Sequence, residues 1–112
     1  MIFMCSRKRR EQLQNFLDVS RPTLPGRVLI DQDDDSYRDM RLPIGWEFVV
    51  GERDSTTVIL NRAFRKYPDE KFYAVICDDM ECGPMGWDQK LSQACGETHL
   101  SWGDDKKWGD KL

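Results

Sequence analysis

Residues 28–37 read V-L-I-D-Q-D-D-D-S-Y, with four aspartates placed directly after three branched apolar residues. Residues 74–81, A-V-I-C-D-D-M-E, repeat this arrangement at the end of a second apolar run. Short apolar runs that end in polar residues are typical of strands buried in a sheet. Each acidic cluster has two interpretations: a solvated turn, or carboxylates gathered to hold a ligand.

The spacing of apolar residues predicts strands and helices in alternation along the chain. Strands are predicted over 1–5, 27–30, 46–50, 72–77 and 98–102, and helices over 8–19, 56–67 and 87–95. The six apolar residues of 72–77 make this run the best candidate for a central strand buried on both faces. Ser6 is a candidate N-cap for the first helix, and Asp54 and Ser55 are candidates for the second. This order predicts an α/β domain with a mostly parallel open sheet flanked by helices.

The composition favours one globular domain of 112 residues, 39% hydrophobic and 33% charged. A net charge of −3 argues against a nucleic acid polymer as partner, because such binders are normally basic. No apolar run approaches the roughly 20 residues that span a membrane. The apolar start precedes basic residues, which is the reverse of a signal peptide, so we expect a cytoplasmic location.

The cysteines do not follow the spacing of a zinc site. The chain contains a single histidine, His99, and four cysteines without a C-x2-C pair, namely Cys5, Cys77, Cys82 and Cys95. Structural zinc needs closely spaced pairs of thiolates or imidazoles, so this pattern argues against it. Cys5 and Cys77 lie in apolar runs and are predicted to be small buried hydrophobic residues in a reducing compartment. Trp46 and Trp87 fall at positions expected for the core.

Charged clusters follow each of the first four predicted strands, at 6–10, 31–35, 51–54 and 78–81. In open α/β sheets, ligands bind outside the carboxyl ends of the strands, so parallel neighbours would bring these clusters to one rim. Carboxylates suit hard divalent ions such as Mg²⁺ or Mn²⁺, whose coordination is commonly completed by phosphate oxygens and water. Carboxylates beside arginines therefore indicate a metal-bound diphosphate.

Other ligand sites fit the sequence less well. As a calcium loop, residues 31–42 would carry Ser36 where glycine is needed and Leu42 where a bidentate glutamate is needed. No glycine-rich phosphate loop and no nucleophile constellation is present. A phosphate would therefore depend on metal and arginine contacts.

Six segments in this order resemble the nucleotide-sugar-binding half of glycosyltransferase family 2-like proteins with the GT-A fold, a Rossmann-like nucleotide-binding architecture. They are M-C-S-R-K-R (4–9), D-Q-D-D-D (31–35), V-V-G-E-R-D (49–54), L-N-R-A-F (60–64), F-Y-A-V-I-C-D-D (72–79) and G-W-D-Q-K-L (86–91). The similarity is closest to short phage and bacterial versions. It covers a nucleotide-sugar-binding domain over 1–105 and leaves a polar tail over 106–112.

The resemblance implies a role for each matching position. Ser6 and Arg7 would lie against the base or ribose, and Asp33 or Asp34 would bind the base edge. Arg53 and Asn61 would lie near the base and diphosphate.

The segment C-D-D-M-E matches the D-x-D type of motif in this family. Asp79 would bind Mn²⁺ or Mg²⁺, Asp78 would contact ribose or a metal-bound water, and Glu81 could replace one of the pair. The usual catalytic base of the family lies beyond the matched region, which leaves Asp104 and Asp105 as the candidates for this base.

These features predict a metal-dependent domain that binds a nucleotide-diphospho-sugar donor and transfers the sugar to an acceptor that the sequence does not specify. One alternative is a non-catalytic GT-A-like module for binding or assembly. A weaker alternative is a metal-dependent phosphoryl-transfer or nuclease domain, since paired acids also serve two-metal chemistry. The acidic net charge counts against this last alternative.

Overall fold

The computed structural model of the chain describes residues 1–78, 82–83 and 85–95. Its elements are β1 (Ile2–Cys5), α1 (Arg10–Ser20), β2 (Gly26–Asp31), β3 (Trp46–Gly51), α2 (Thr56–Lys66), β4 (Ala74–Val75) and α3 (Trp87–Cys95). The four strands form one sheet in the order β3-β2-β1-β4, and every neighbouring pair is parallel. The predicted α/β domain with a parallel sheet is therefore confirmed.

Helices cover both faces of the sheet because side chains alternate between the faces along each strand. Ile2 and Met4 of β1 pack in one apolar cluster with α1 and α3, and this cluster contains Trp46 and Trp87. Phe3, between them in sequence, packs in the other cluster with residues of α2. The predicted core positions of both tryptophans are confirmed, with exposed fractions of 5% and 8%.

The prediction of a central strand over 72–77 is wrong. Its regular part is only β4, Ala74–Val75, which is the outermost strand on its side of the sheet among the described residues. Val75 is 51% exposed, whereas β1 lies between β2 and β4 and contains Ile2, Phe3 and Met4 at 0%. An apolar run indicates that a segment tends to be buried, but the pairing of the strands decides which strand occupies the centre of the sheet.

One of the two predicted helix N-caps is confirmed, at α2, and the other is wrong, at α1. Ser55 caps α2, since its hydroxyl accepts a hydrogen bond from Val58 N at 3.4 Å. Ser6 does not cap α1, which begins later, with Arg9 at the N-cap and no side-chain cap. The Ser6 hydroxyl instead forms hydrogen bonds with the side chains of Tyr37 and Asp78, which come from distant segments.

Asp88 fixes α3 to the loop that precedes β2. Its carboxylate is 1% exposed and accepts hydrogen bonds from Thr23 N at 2.5 Å, Thr23 Oγ1 at 2.9 Å and Leu24 N at 2.6 Å. A buried carboxylate is tolerated when several donors satisfy it, as here. This contact lies at the amino ends of the strands, away from the carboxyl rim.

Several predicted features lie outside the described residues: the strand over 98–102, the domain end at 105 and the tail over 106–112. Within the described residues, no helix is both long enough and apolar enough to cross a membrane.

Candidate functional site

The sheet order creates a switch point between β1 and β4. From β1 the chain proceeds to β2 and β3 on one side, and β4 then pairs with the opposite edge of β1. At such a point the loops after the two strands leave in opposite directions and open a crevice at their carboxyl ends. An open cleft of about 290 Å³ lies there, and its lining includes Ser6, Arg7 and Arg9 after β1, Asp31 of β2, and Cys77 and Asp78 after β4.

Asp31 holds Arg7 in a fixed orientation at the cleft. Arg7 Nε donates to Asp31 Oδ2 at 2.5 Å and Arg7 Nη2 donates to Asp31 Oδ1 at 3.2 Å. The same Nη2 donates to the carbonyl of Asp54 at 3.0 Å, whereas Nη1 of Arg7 has no hydrogen-bond partner within the described part of the chain. The hydrogen bond with Asp31 raises the pKa of Arg7 further above its ordinary value. The result is a charged guanidinium whose Nη1 has no partner among the described residues and can donate to a ligand.

The Asp31 carboxylate is buried, at 4% exposure, although its cationic partners reach solvent. Arg53 Nε lies 3.6 Å from Asp31 Oδ2, and the Arg53 side chain is 52% exposed. Two arginines thus compensate one buried negative charge at the ends of β2 and β3. Arg53, predicted to lie near a diphosphate, is placed beside the rim by this contact.

A chain of hydrogen bonds connects the loop after β1 with the end of β4. Ser6 Oγ donates to Asp78 Oδ2 at 2.8 Å, and the Tyr37 hydroxyl is hydrogen-bonded to Ser6 Oγ. Because the Ser6 proton is directed to Asp78, the Tyr37 hydroxyl donates to Ser6 and in turn accepts from Arg9 N at 3.0 Å. Tyr37, Ser6 and Asp78 are each at most 5% exposed. Burial raises the pKa of Tyr37, against the opposing effect of its hydrogen bonds with Ser6 and Arg9.

Tyr37 is a site residue that the sequence analysis missed. It lies in the loop between β2 and β3, where no periodicity indicates burial, and its partners are 28 and 31 residues away in sequence. The signal in the sequence was an aromatic residue directly after the polar run 31–36.

The acidic loop and the basic segment 7–10 contact each other, as the alternation of charge at the rim suggested. Lys8 N donates to Asp34 Oδ2 at 2.8 Å. Partial burial disfavours the charged Asp34, but hydrogen bonds from Ser36 and Lys8 N outweigh it, so the pKa of Asp34 lies below its ordinary value. Arg10 Nη1 donates to the carbonyl of Arg38 at 2.5 Å. These contacts offset the repulsion among the clustered aspartates.

The structure separates some of the predicted nucleotide-binding residues from others. Ser6, Arg7 and Asp78 line the cleft. Asp33 is exposed in the loop after β2, and Asn61 is exposed on α2. Asp31, which was not assigned a role, occupies the cleft position that Asp33 and Asp34 do not.

The structure also corrects the expectation that Cys77 is buried. It is exposed and Cys5 is half-buried, so the prediction of buried hydrophobic thiols is wrong for Cys77. The reason is that β4 ends at Val75 and leaves Cys77 in the cleft lining.

The predicted metal ligands Asp79 and Glu81 and the candidate bases Asp104 and Asp105 lie outside the described residues. Within residues 1–78, 82–83 and 85–95, no group of three or more His, Cys, Asp or Glu side chains could hold a metal ion. Asp78 is the carboxylate that the described part of the chain places at the end of β4. Among the described residues its Oδ1 has a single long contact, with Arg9 Nη1 at 3.4 Å, and can accept another hydrogen bond.

Comparisons with protein-family models, with curated proteins and with solved structures find no match for this chain. The chemistry of the cleft is therefore the basis for a functional proposal. It combines guanidinium groups that attract anions with carboxylates that accept hydrogen bonds from hydroxyl or amine groups.

Proposed function

We propose that the cleft binds the nucleoside diphosphate of a nucleotide-diphospho-sugar donor, and that the chain transfers the sugar to an acceptor. One observation carries this proposal: the switch point of the parallel sheet places arginines and carboxylates from three strand ends around one cleft. Sheets of this kind bind nucleotides at the switch point.

Arg7 and Arg9 are proposed to bind the diphosphate, which replaces the contact with base or ribose that the resemblance implies for Arg7. Arg7 is oriented by Asp31 and presents a guanidinium nitrogen without a partner among the described residues. Arg9 has a half-exposed side chain whose one ion pair within the described part of the chain is a 3.4 Å contact with Asp78, so it can move to bind a phosphate at little energetic cost. Guanidinium groups match phosphate oxygens in both charge and geometry.

The carboxylates are proposed to recognise the nucleoside. Asp78 is positioned by Ser6 and would accept a hydrogen bond from a ribose hydroxyl. Asp33 and Asp34 lie in the loop after β2, where the resemblance assigns an acid to the edge of the base. Arg53, beside the rim, completes the proposed contacts with the diphosphate, whereas Asn61 lies outside the cleft lining and is not part of the proposed site.

The proposed cofactor is Mn²⁺ or Mg²⁺, with Asp79 as its ligand and Glu81 as the residue that could replace one of the acidic pair. Asp78 would contact ribose or a metal-bound water, because among the described residues its Oδ1 has only a long contact and can accept a further hydrogen bond. When bound, such a metal would neutralise charge on the diphosphate leaving group. Asp104 or Asp105 would accept the proton of the attacking acceptor hydroxyl.

A titration with a panel of nucleotides tests the binding proposal. UDP-, GDP-, ADP- and dTDP-sugars would each be titrated calorimetrically with Mn²⁺, and again with a chelator. We expect at least one to bind, more tightly with metal. Arg9→Ala should weaken that binding by about 10- to 150-fold, which corresponds to about 1.5–3 kcal/mol for a hydrogen bond to a charged group.

Arg65→Ala is the matched control, because Arg65 is an exposed arginine of α2 that does not line the cleft. It removes the same charge and should leave the affinity unchanged. An equal loss in both variants would indicate general electrostatic attraction and contradict the proposed contact. A folded protein that binds none of the nucleotides would overturn the whole proposal.

Transfer is tested separately by following release of the nucleoside diphosphate with candidate glycan and protein acceptors. Release that Asp79→Ala abolishes supports a metal-dependent transferase. Tight binding without release, under the same conditions, would favour the non-catalytic binding module.

A further inference from the structure

We propose that Cys5 and Cys77 form a redox-active dithiol that closes to a disulfide in the floor of the cleft. The two residues lie at the carboxyl ends of the neighbouring strands β1 and β4 and both line the cleft. They are 72 positions apart in sequence, so only the pairing of these strands brings them together.

The strand register places the two cysteines opposite each other. The β1–β4 pairing aligns Ile2 with Ala74 and Phe3 with Val75. A hydrogen bond from Ile76 N to the carbonyl of Phe3 at 3.0 Å continues this alignment beyond β4. Counting two residues onward from the pair Phe3 and Val75, the same alignment places Cys5 opposite Cys77.

The alternation of side chains puts both thiols on the same face of the sheet. Cys5 packs with the apolar cluster on the α2 face, to which Phe3 also belongs. Cys77 is two residues after Val75, the partner of Phe3, and therefore points to that same face. The pKa of the Cys5 thiol is raised, mainly by burial and further by the Cys77 thiol. The second effect is consistent with the two sulfurs being close.

The spacing of paired strands permits a disulfide. Neighbouring strands lie about 4.8 Å apart, and disulfides join Cα atoms that are about 4.4–6.8 Å apart. Regular pairing has ended at Val75, so the backbone around Cys77 can adjust to the required dihedral angle. Because Cys77 is exposed, a bond at this position is accessible to thiols and readily reduced again, which is the property of a reversible site.

The two thiols differ in their exposure to solvent, and this difference indicates which of them reacts first. Cys77 is exposed and Cys5 is half-buried. The Cys77 thiolate attacks a low-molecular-weight disulfide and forms a mixed disulfide, releasing one reduced small thiol. Cys5 then loses its proton and attacks the Cys77 sulfur, which releases the second small thiol. The protein loses two electrons and two protons, and the small disulfide gains them.

Incubation with oxidised glutathione, followed by intact-mass measurement and peptide mapping, tests this proposal. We expect the native protein to lose two hydrogens and to yield a cross-linked peptide pair containing Cys5 and Cys77, which a dithiol reductant reverses. Cys5→Ser should lose closure and retain glutathione as a stable adduct on Cys77. Cys82→Ser, the matched control, should close as the wild type does.

Three results would overturn the proposal. A stable glutathione adduct on wild-type Cys77 would show that Cys5 does not reach it. A cross-link to Cys82 or Cys95 would assign the chemistry to another pair. Equal closure in urea would show that the fold does not bring the thiols together. The mass readout needs no nucleotide, so this test and that of the proposed function can fail independently.

Discussion

Replacing Tyr37 by phenylalanine tests the hydrogen-bond chain that joins the β1 loop to the end of β4. The centroid of the Tyr37 ring lies 5.6 Å from that of the Phe48 ring. Phenylalanine preserves this packing, so the change removes only the hydroxyl and creates no cavity. Two groups lose their partner, the backbone N–H of Arg9 and the Ser6 hydroxyl. Tyr37→Phe therefore measures hydrogen bonding almost alone.

The size of the change in the free energy of unfolding depends on which hydrogen bonds Ser6 and Arg9 N keep in the variant. A buried group left without its partner costs about 1–3 kcal/mol. Ser6 keeps its bond to Asp78, and Arg9 N is only partly buried, so water can replace some of the loss. We expect the free energy of unfolding to fall by about 1–2 kcal/mol. With a urea dependence of about 2 kcal/mol per molar, the unfolding midpoint should fall by about 0.5–1 M.

Urea unfolding followed by tryptophan fluorescence measures this change, since Trp46 and Trp87 are buried in the folded protein. Tyr67→Phe, an equally small change in the cluster on the opposite face, should shift stability by less than about 0.5 kcal/mol. A double-mutant cycle with Ser6→Ala should show coupling above about 0.5 kcal/mol. An unchanged midpoint for Tyr37→Phe, with additive effects in the cycle, would refute the hydrogen-bond chain.

The raised pKa of Tyr37 adds a pH dependence to the same comparison. Because the folded state favours the neutral phenol, its contribution is fully present below the ordinary tyrosine pKa of about 10 and is lost as pH rises through the higher folded value. The stability of the wild type should therefore fall more steeply above about pH 10 than that of Tyr37→Phe. Parallel profiles would contradict burial of the phenol.

Three further predictions concern other parts of the fold. Asp88→Ala leaves three backbone N–H groups, those of Thr23, Leu24 and Gln89, without their acceptor and should lower the free energy of unfolding by about 2–4 kcal/mol, measured by urea unfolding. A loss under about 0.5 kcal/mol would contradict the role of Asp88 in fixing α3 to the loop before β2. Gly26→Ala places a Cβ 2.4 Å from the indole of Trp46 and should destabilise by about 1–3 kcal/mol, with a blue- or red-shifted tryptophan spectrum as the local readout. The lowered pKa of Asp34 means that its stabilisation is present above the ordinary aspartate pKa of about 4 and is lost as pH falls, so Asp34→Asn should flatten the acid limb of the stability profile.

The sequence by itself determined the fold class and the local elements. Apolar runs at 1–5, 27–30 and 46–50 and the periodicity over 56–67 correspond to β1, β2, β3 and α2, because strands and helices bury side chains with different spacings. It also determined that charge collects at strand ends, since residues following parallel strands necessarily reach one edge of the sheet. The Ser55 cap was readable because capping is local.

Only the tertiary structure decided which strand is central and which side chains meet. The 72–77 run gives the outer strand β4, since the order of strands depends on crossovers that an apolar run does not encode. Tyr37, Asp88 and the Cys5–Cys77 alignment were not apparent, because their partners lie 28 to 72 residues away in sequence. Hydrogen bonds over such separations depend on register and packing, which the assembled sheet alone fixes.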